Sequence, residues 1–328
     1  MVKALVLLGA SGMVGRSVLQ YLEETGASTR IHALVRPGNP AIESSNVKTF
    51  FGDMEHLPKG LVPEGRHVIV HYASKQRDTD GSGYQVNLKG LQNLCRRLNS
   101  NTAGVIYGSS ASVYGQGNQY DITEAAFLNP QTELAKMRLL CEKELMIQAC
   151  RQHFTLYLLR PRFMIGPGDR YIVPYLQKQA DKRLCCGMGS QRYSFISTCD
   201  YAQIIVKLGE KAWERSLNRD PAVKALNVGY REGVCIKDVE ELLQKGRRGK
   251  IRIPAGLMVF LYGTMFHDTD RKTKAELFGY SHYLNVGALE EEIGCEITSK
   301  DSRKVFKEAA LRKEGDVWKN PLSYLEMR

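Results

Sequence analysis

The sequence predicts an α/β protein built on a doubly wound parallel sheet, with a smaller lobe contributed by the C-terminal half. Three observations carry this. Ala4 to Leu8 is a short continuous apolar run that flows straight into Gly9, Gly12 and Gly15. Short apolar runs then alternate with stretches of helical spacing as far as about residue 165, the pattern of parallel strands joined by crossover helices. Beyond residue 166 the alternation loosens into short strands, turns and helices. The division expected is residues 1–165 as a nucleotide-binding core and 166–328 as a mixed lobe on the substrate side, with sheet strands free to be shared.

The elements follow in order. Ala4 to Leu8 reads as a strand covered on both faces, and Met13 to Leu22 as the helix it feeds. The glycines between them let backbone N–H groups and the positive helix end meet a pyrophosphate; a plain tight turn is the other reading of such a triplet. Arg30 to Val35, Val47 to Phe51 and His67 to Tyr72 are the next strands, the first closed by Arg36-Pro37-Gly38. Gly83 to Leu98 reads as a helix and Ala103 to Tyr107 as a strand. A polar small-residue loop follows at Ser109 to Gly117, then a long helix over Thr132 to Cys150 and a strand over Phe154 to Leu159. The apolar stretch Ile253 to Phe266 is too short and too broken by Gly and Pro to span a bilayer. It predicts a core helix, with a pocket wall or a membrane-touching surface as alternatives.

Composition narrows the class. The chain has 328 residues, and 46 Lys and Arg against 35 Asp and Glu give a net charge of +11. That surplus favours anionic ligands and leaves nucleic acid as a secondary possibility; the densest basic groups are Lys245 to Arg252, Arg271 to Lys274 and Lys300 to Lys304. No basic, apolar, cleavable leader opens the sequence. Eight cysteines without a C-x-x-C pair imply free thiols in a reducing compartment, the cytoplasm, and no structural zinc. The seven His lie singly, so no metal site is expected.

Several motifs occur together in one order. Gly9-Ala-Ser-Gly-Met-Val-Gly15, Gly52-Asp53, His71-Tyr-Ala-Ser74, Asn87-Leu-Lys-Gly-Leu-Gln-Asn-Leu94 and Ser109-Ser-Ala-Ser-Val-Tyr-Gly115 are followed by Leu159-Arg-Pro161 and Ile165-Gly-Pro-Gly-Asp169. Ser194-Phe-Ile, Asp200-Tyr-Ala202 and Ala275-Glu-Leu-Phe-Gly-Tyr280 complete the series. The set resembles the extended short-chain dehydrogenase/reductases, the group of nucleotide-sugar epimerases and dehydratases, 3β-hydroxysteroid dehydrogenases and dihydroflavonol reductases. The resemblance spans residues 3 to about 295. It implies a Rossmann core holding a nicotinamide dinucleotide through Gly9, Ser11, Gly12, Met13, Val14, Asp53, Met54, Tyr72, Ala73, Ser74, Asn87, Arg138 and Pro161. Asp53 would hold the adenine amino group, and a homodimer through the two helices at 83–98 and 132–150 is the family habit.

Two departures matter. NAD-preferring members carry an acid at the end of the second strand; here Val35-Arg36 stands there, and Arg36, with Arg16, suits a 2′-phosphate. NADP(H) is therefore the expected cofactor. The family also needs a Tyr and, four residues on, a Lys that lowers the phenol's pKa. Alignment on Pro130 and Glu142 puts Leu134 and Arg138 at those places, and none of the sixteen tyrosines has a Lys four positions on. Ser110, Tyr114 and Arg138 become the catalytic candidates, with Tyr72, Tyr107 and Lys136 behind them. Three readings stay open: an oxidoreductase or redox-neutral isomerase of a small, apolar carbonyl or alcohol using another acid; a non-catalytic NADP(H)-binding sensor or scaffold; and an RNA-binding member. Tyr193 falls where nucleotide-sugar members place a diphosphate-gripping Arg, which argues against a sugar nucleotide.

Overall fold

The computed structural model describes residues 2–75, 83–243 and 250–311. Its centre is one parallel seven-stranded sheet of β1 (Ala4–Leu8), β2 (Arg30–Val35), β3 (Val47–Phe51), β4 (His67–His71), β5 (Thr102–Gly108), β7 (Thr155–Pro161) and β12 (Val223–Val228), ordered β12-β7-β5-β4-β1-β2-β3. The order reverses between β1 and β4, and that switch point opens a crevice at the C-terminal ends of the strands. β1, β4, β5 and β7 are buried at every position, which is why each carries an apolar centre: Ala4–Leu8, residues 68–70, 105–107 and 156–159.

Helices cover both faces. On one side α1 (Met13–Glu24) and α5 (Thr198–Leu217) pack Val14, Val18 and Leu22 against Tyr201, Ile204, Ile205 and Leu208. On the other, α2 (Gly90–Cys95) and α3 (Glu133–Gln152) supply Leu91, Leu94, Cys141 and Leu145. Thr132 caps α3 by accepting from the Ala135 N–H at 3.2 Å, and His153 ends it in a left-handed conformation at φ 57°.

The rest of the chain forms the lobe, though not by a single cut. After residue 166 the chain builds α4 (Ile172–Ala180), then returns through α5 and β12 to the large sheet. The lobe holds a four-stranded sheet of β13 (Val234–Cys235), β10 (Arg192–Tyr193), β15 (His282–Leu284) and β6 (Gln119–Ile122). Two ribbons join it, β11 (Phe195–Ser197) with β8 (Phe163–Ile165) and β14 (Ile251–Ile253) with β9 (Leu184–Cys186). Phe163, Tyr193, Phe195, Phe278 and Phe306 form its core, beneath α6 (Ile236–Leu243), α8 (Thr269–Gly279) and α10 (Ser302–Leu311). α9 (Gly287–Ile293) lies against β12 and α5.

One expectation fails. Ile253 to Phe266 is not a core helix: it is the end of β14, then α7 (Ala255–Phe260) and a wide helical turn over Leu261–Met265, and only Ala255 is buried. The run has apolar residues all round, so its pattern gave no inner face. The helix is seated by small residues, and a Cβ on Gly279 would stand 2.6 Å from that of Ala255.

Candidate active site and cofactor cradle

The first β–α turn is shaped by backbone contacts that side chains would break. Gly9 has φ +89°, and a Cβ there would lie 2.8 Å from the backbone of Tyr72 and Ala73. A Cβ on Gly15 would fall 2.3 Å from the Gly9 carbonyl oxygen, so α1 can start this close to β1 only with glycine in its first turn. Gly12 caps α1 with no side-chain bond and no acid follows in the first turn, leaving the helix end open to an anion. The cradle fits a dinucleotide pyrophosphate. Ser11, Gly12 and Met13 border it, whereas Val14 points into the core and offers only its N–H.

Two asparagines of one helical segment hold the neighbouring loops. Asn87, in a wide turn over Gln85–Lys89, accepts from the Lys75 N–H at 2.8 Å and donates to the Lys75 carbonyl at 3.1 Å. Asn93 donates to the carbonyls of Met54 and Glu55. The first fixes Ala73-Ser74 after β4, the second Asp53-Met54 after β3. Asp53 Oδ1 caps its own turn through the Glu55 and His56 N–H groups at 2.9 and 2.7 Å. Met54 is buried against Gly90.

Beyond β2, Arg36 is exposed, and Arg16 donates to the Ser11 carbonyl at 2.9 Å. A cleft of about 420 Å³ is lined by Ser11, Arg16, Glu23, Val35 and Asn39, and Arg36 stands outside that lining.

At the other end of the crevice, Arg138 is buried and its Nη1 donates to the carbonyls of Gly108 and Ser109, both at 2.9 Å. The guanidinium is thus pinned to the end of β5. Leu134 lies one turn earlier on α3. Ser110 accepts from the Ser112 N–H at 3.1 Å, which leaves its own O–H proton to donate. Its neighbour Ser109 donates to the buried Glu142. Glu142 forms a two-point ion pair with Arg160 at 2.6 and 3.0 Å, and Arg160 donates to the Tyr114 hydroxyl at 3.0 Å. Tyr114 in turn donates to Asn227 at 2.8 Å. Both sides of its hydroxyl are committed to the frame. Lys136 is exposed and paired with Glu133, and Tyr193 is wholly enclosed among Phe163, Phe195 and Phe278. Pro161 closes β7, buried beside Val228.

The meeting of two phenols was not visible from the motifs that contain them. The Tyr72 hydroxyl donates to that of Tyr201 at 2.6 Å, and the two rings meet edge to face at 5.7 Å. The Tyr72 ring lies across Gly108, where a Cβ would be 2.3 Å from it. Burial pushes the Tyr72 hydroxyl well above its ordinary range and Tyr201 adds to this, while the positive charge of Arg138 pulls it down. Tyr201 is likewise raised by burial, and both its bond with Tyr72 and Arg138 oppose the shift. Tyr107, on the opposite face, is raised by burial too. His71, wholly enclosed, is lowered to about 4 by burial alone.

Comparison with known proteins agrees with this geometry. The model of the NAD dependent epimerase/dehydratase family matches residues 5–229. A ketoreductase of 4-hydroxy-2-methyl-3-oxo-4-farnesyl-3,4-dihydroquinoline-1-oxide from Stigmatella aurantiaca is 27% identical over 207 residues, 60% of each chain. A decarboxylating sterol-4-alpha-carboxylate 3-dehydrogenase from Saccharomyces cerevisiae is 23% identical over 198 residues, 55% of this chain and 56% of the other. The match thus spans less than two thirds of these relatives. The UDP-glucuronic acid 4-epimerase of Bacillus cereus, solved with NAD, shares the fold with a TM-score of 0.68 at 15% identity, over 96% of this chain and 99% of that one. The switch-point crevice, the glycine cradle at α1 and the family match over most of the chain give one conclusion: this protein belongs to the NAD dependent epimerase/dehydratase family.

Proposed function

We propose that the chain is an NADP(H)-dependent oxidoreductase acting on a small apolar carbonyl or alcohol, with Tyr72 in place of the missing phenol. The observation that carries this is the Tyr72–Tyr201 pair lying over Gly108 within electrostatic reach of Arg138. When bound, the nicotinamide supplies or takes up hydride. Gly9, Ser11, Gly12 and Met13 would hold the pyrophosphate, Asp53 the adenine, Arg36 the 2′-phosphate and Arg138 the nicotinamide ribose. Tyr72, kept protonated by burial, turns its O–H from Tyr201 to the substrate oxygen and gives up that proton. The Tyr201 hydroxyl then turns to donate to the phenolate, and Arg138 offsets its charge. Ser110 holds the same substrate oxygen through its free proton. Tyr114 serves the frame and not the proton transfer.

The apolar substrate is supported by the names of the two relatives, a farnesylated quinoline oxide and a sterol carboxylate. A homodimer through α3 is supported by Leu140, Met146 and Ile147, all more than two-fifths exposed. Eight free cysteines suit a reducing compartment such as the cytoplasm. Among the described residues no helix is long and apolar enough to cross a membrane. The RNA-binding reading loses support because Lys300, Arg303 and Arg271 are each engaged with acids; residues 244–249 of the other basic group lie outside the described residues.

The competing reading is a non-catalytic NADP(H) sensor, favoured by Leu134 where the family donor stands. NADPH titration by intrinsic fluorescence, followed by oxidation of bound NADPH across apolar ketones, separates them. Turnover supports the enzyme. Tight binding with no turnover across the panel supports the sensor, and absence of binding overturns both.

A further inference from the structure

The helix that the sequence places in the core stands on the surface with its bulkiest side chains outward. Leu257, Phe260, Met265 and Phe266 are 50, 58, 64 and 62% exposed. On the adjoining ribbon the cross-strand partners Leu184 and Ile251 are 48 and 49% exposed. β14 leads through Pro254 directly into α7, and α8 packs on both α7 and β9, so these side chains belong to one continuous part of the lobe. Scattered exposed apolar residues need no explanation, but a run of this density does.

The surroundings are basic. Residues 178–188 and 250–279 make up one eighth of the chain and hold eight Lys and Arg against four Asp and Glu; Glu240, paired with Arg252 from outside these stretches, brings the local surplus to three. Lys182 and Arg183 are exposed immediately before Leu184, while Arg271, paired with Asp268, lies over the Tyr262 ring at 5.9 Å. Bulky apolar residues with an aromatic and flanking cations match the water–lipid boundary, where apolar groups enter the acyl region and cations meet phosphate headgroups. A second copy of this chain would bring the same positive field against itself, so charge disfavours self-association through this face.

We propose that α7, the turn at Leu261–Met265 and the β9–β14 ribbon form a docking surface for an anionic phospholipid bilayer, on which the protein lies without crossing it. This goes beyond the proposed chemistry and does not depend on it. The test is sedimentation of the full chain with vesicles of phosphatidylcholine alone and with phosphatidylglycerol mixed in. The expected result is binding to the mixed vesicles, weakened by about tenfold or more when salt is raised to roughly 0.5 M. Phe260→Ser with Phe266→Ser should lose this binding by about tenfold or more, and Lys182→Glu with Arg183→Glu should weaken it, both with unchanged NADPH affinity and melting temperature. Three outcomes overturn the proposal: no vesicle binding, equal binding to both vesicle types, or loss of a dimer in the Phe260, Phe266 variant.

Discussion

Glu142 on α3 and Arg160 on β7 meet in a two-point ion pair whose side chains are 1 and 5% exposed. The pair ties the serine loop to the sheet, because Ser109 donates into Glu142 and Arg160 donates to Tyr114. Removing one member leaves a buried charge unmatched. Glu142→Leu or Arg160→Met should each cost about 3–5 kcal/mol of stability by urea unfolding, and the double replacement should cost less than their sum.

If the phenol proposed here is the donor, Tyr72→Phe lowers turnover by about 10² to 10⁴ with little change in NADPH affinity. Tyr201→Phe leaves Tyr72 without its hydroxyl partner and gives a smaller loss in kcat, with the alkaline limb of the pH profile displaced. Tyr114→Phe should lower melting temperature more than turnover, because it breaks contacts to Arg160 and Asn227.

Two glycines separate space from strain. Gly15→Ala puts a Cβ against the Gly9 carbonyl and should abolish NADPH binding, measured by fluorescence titration. Gly26 has φ +61° but nothing within 4 Å of a Cβ, so Gly26→Ala should cost only about 1 kcal/mol and leave binding intact.

Cofactor choice should follow Arg36. Arg36→Ala is expected to weaken NADPH by about ten- to a hundredfold while NADH binding changes less than about threefold, because only the 2′-phosphate loses its cation. Equal losses for both cofactors would move the 2′-phosphate contact elsewhere.

Acid should weaken the fold through its buried imidazoles. Above pH 6.5 His71 is neutral folded and unfolded, and stability is at its full value. Between 6.5 and about 4 the unfolded chain takes a proton that the folded one refuses, so stability falls, by on the order of 3 kcal/mol from His71. His67 and His282 are lowered in the same direction, chiefly by burial. Melting temperature against pH should flatten in His71→Leu.

The sheet and its crevice were legible because buried parallel strands need apolar centres and because the cradle contacts leave room only for glycine. The proton-transfer side was less legible. Tyr114 matches a motif, yet its hydroxyl partners, Arg160 and Asn227, lie 46 and 113 residues away. Tyr201 reaches Tyr72 across 129 residues, from a helix whose sequence pattern marks it only as buried. Ile253 to Phe266 failed for a different reason: uniform hydrophobicity says that a segment wants cover, but not what covers it.

The clamp made by Asn87 and Asn93 has a dynamic consequence. Because one short helical segment grips the loops after both β3 and β4, those loops cannot open independently. Loosening that segment would release both loops in a single event. Amide exchange at Lys75, whose N–H is held by Asn87, should then quicken in Asn93→Ala, which cuts the grip on the other loop, and cofactor entry and exit should be timed by that common hinge.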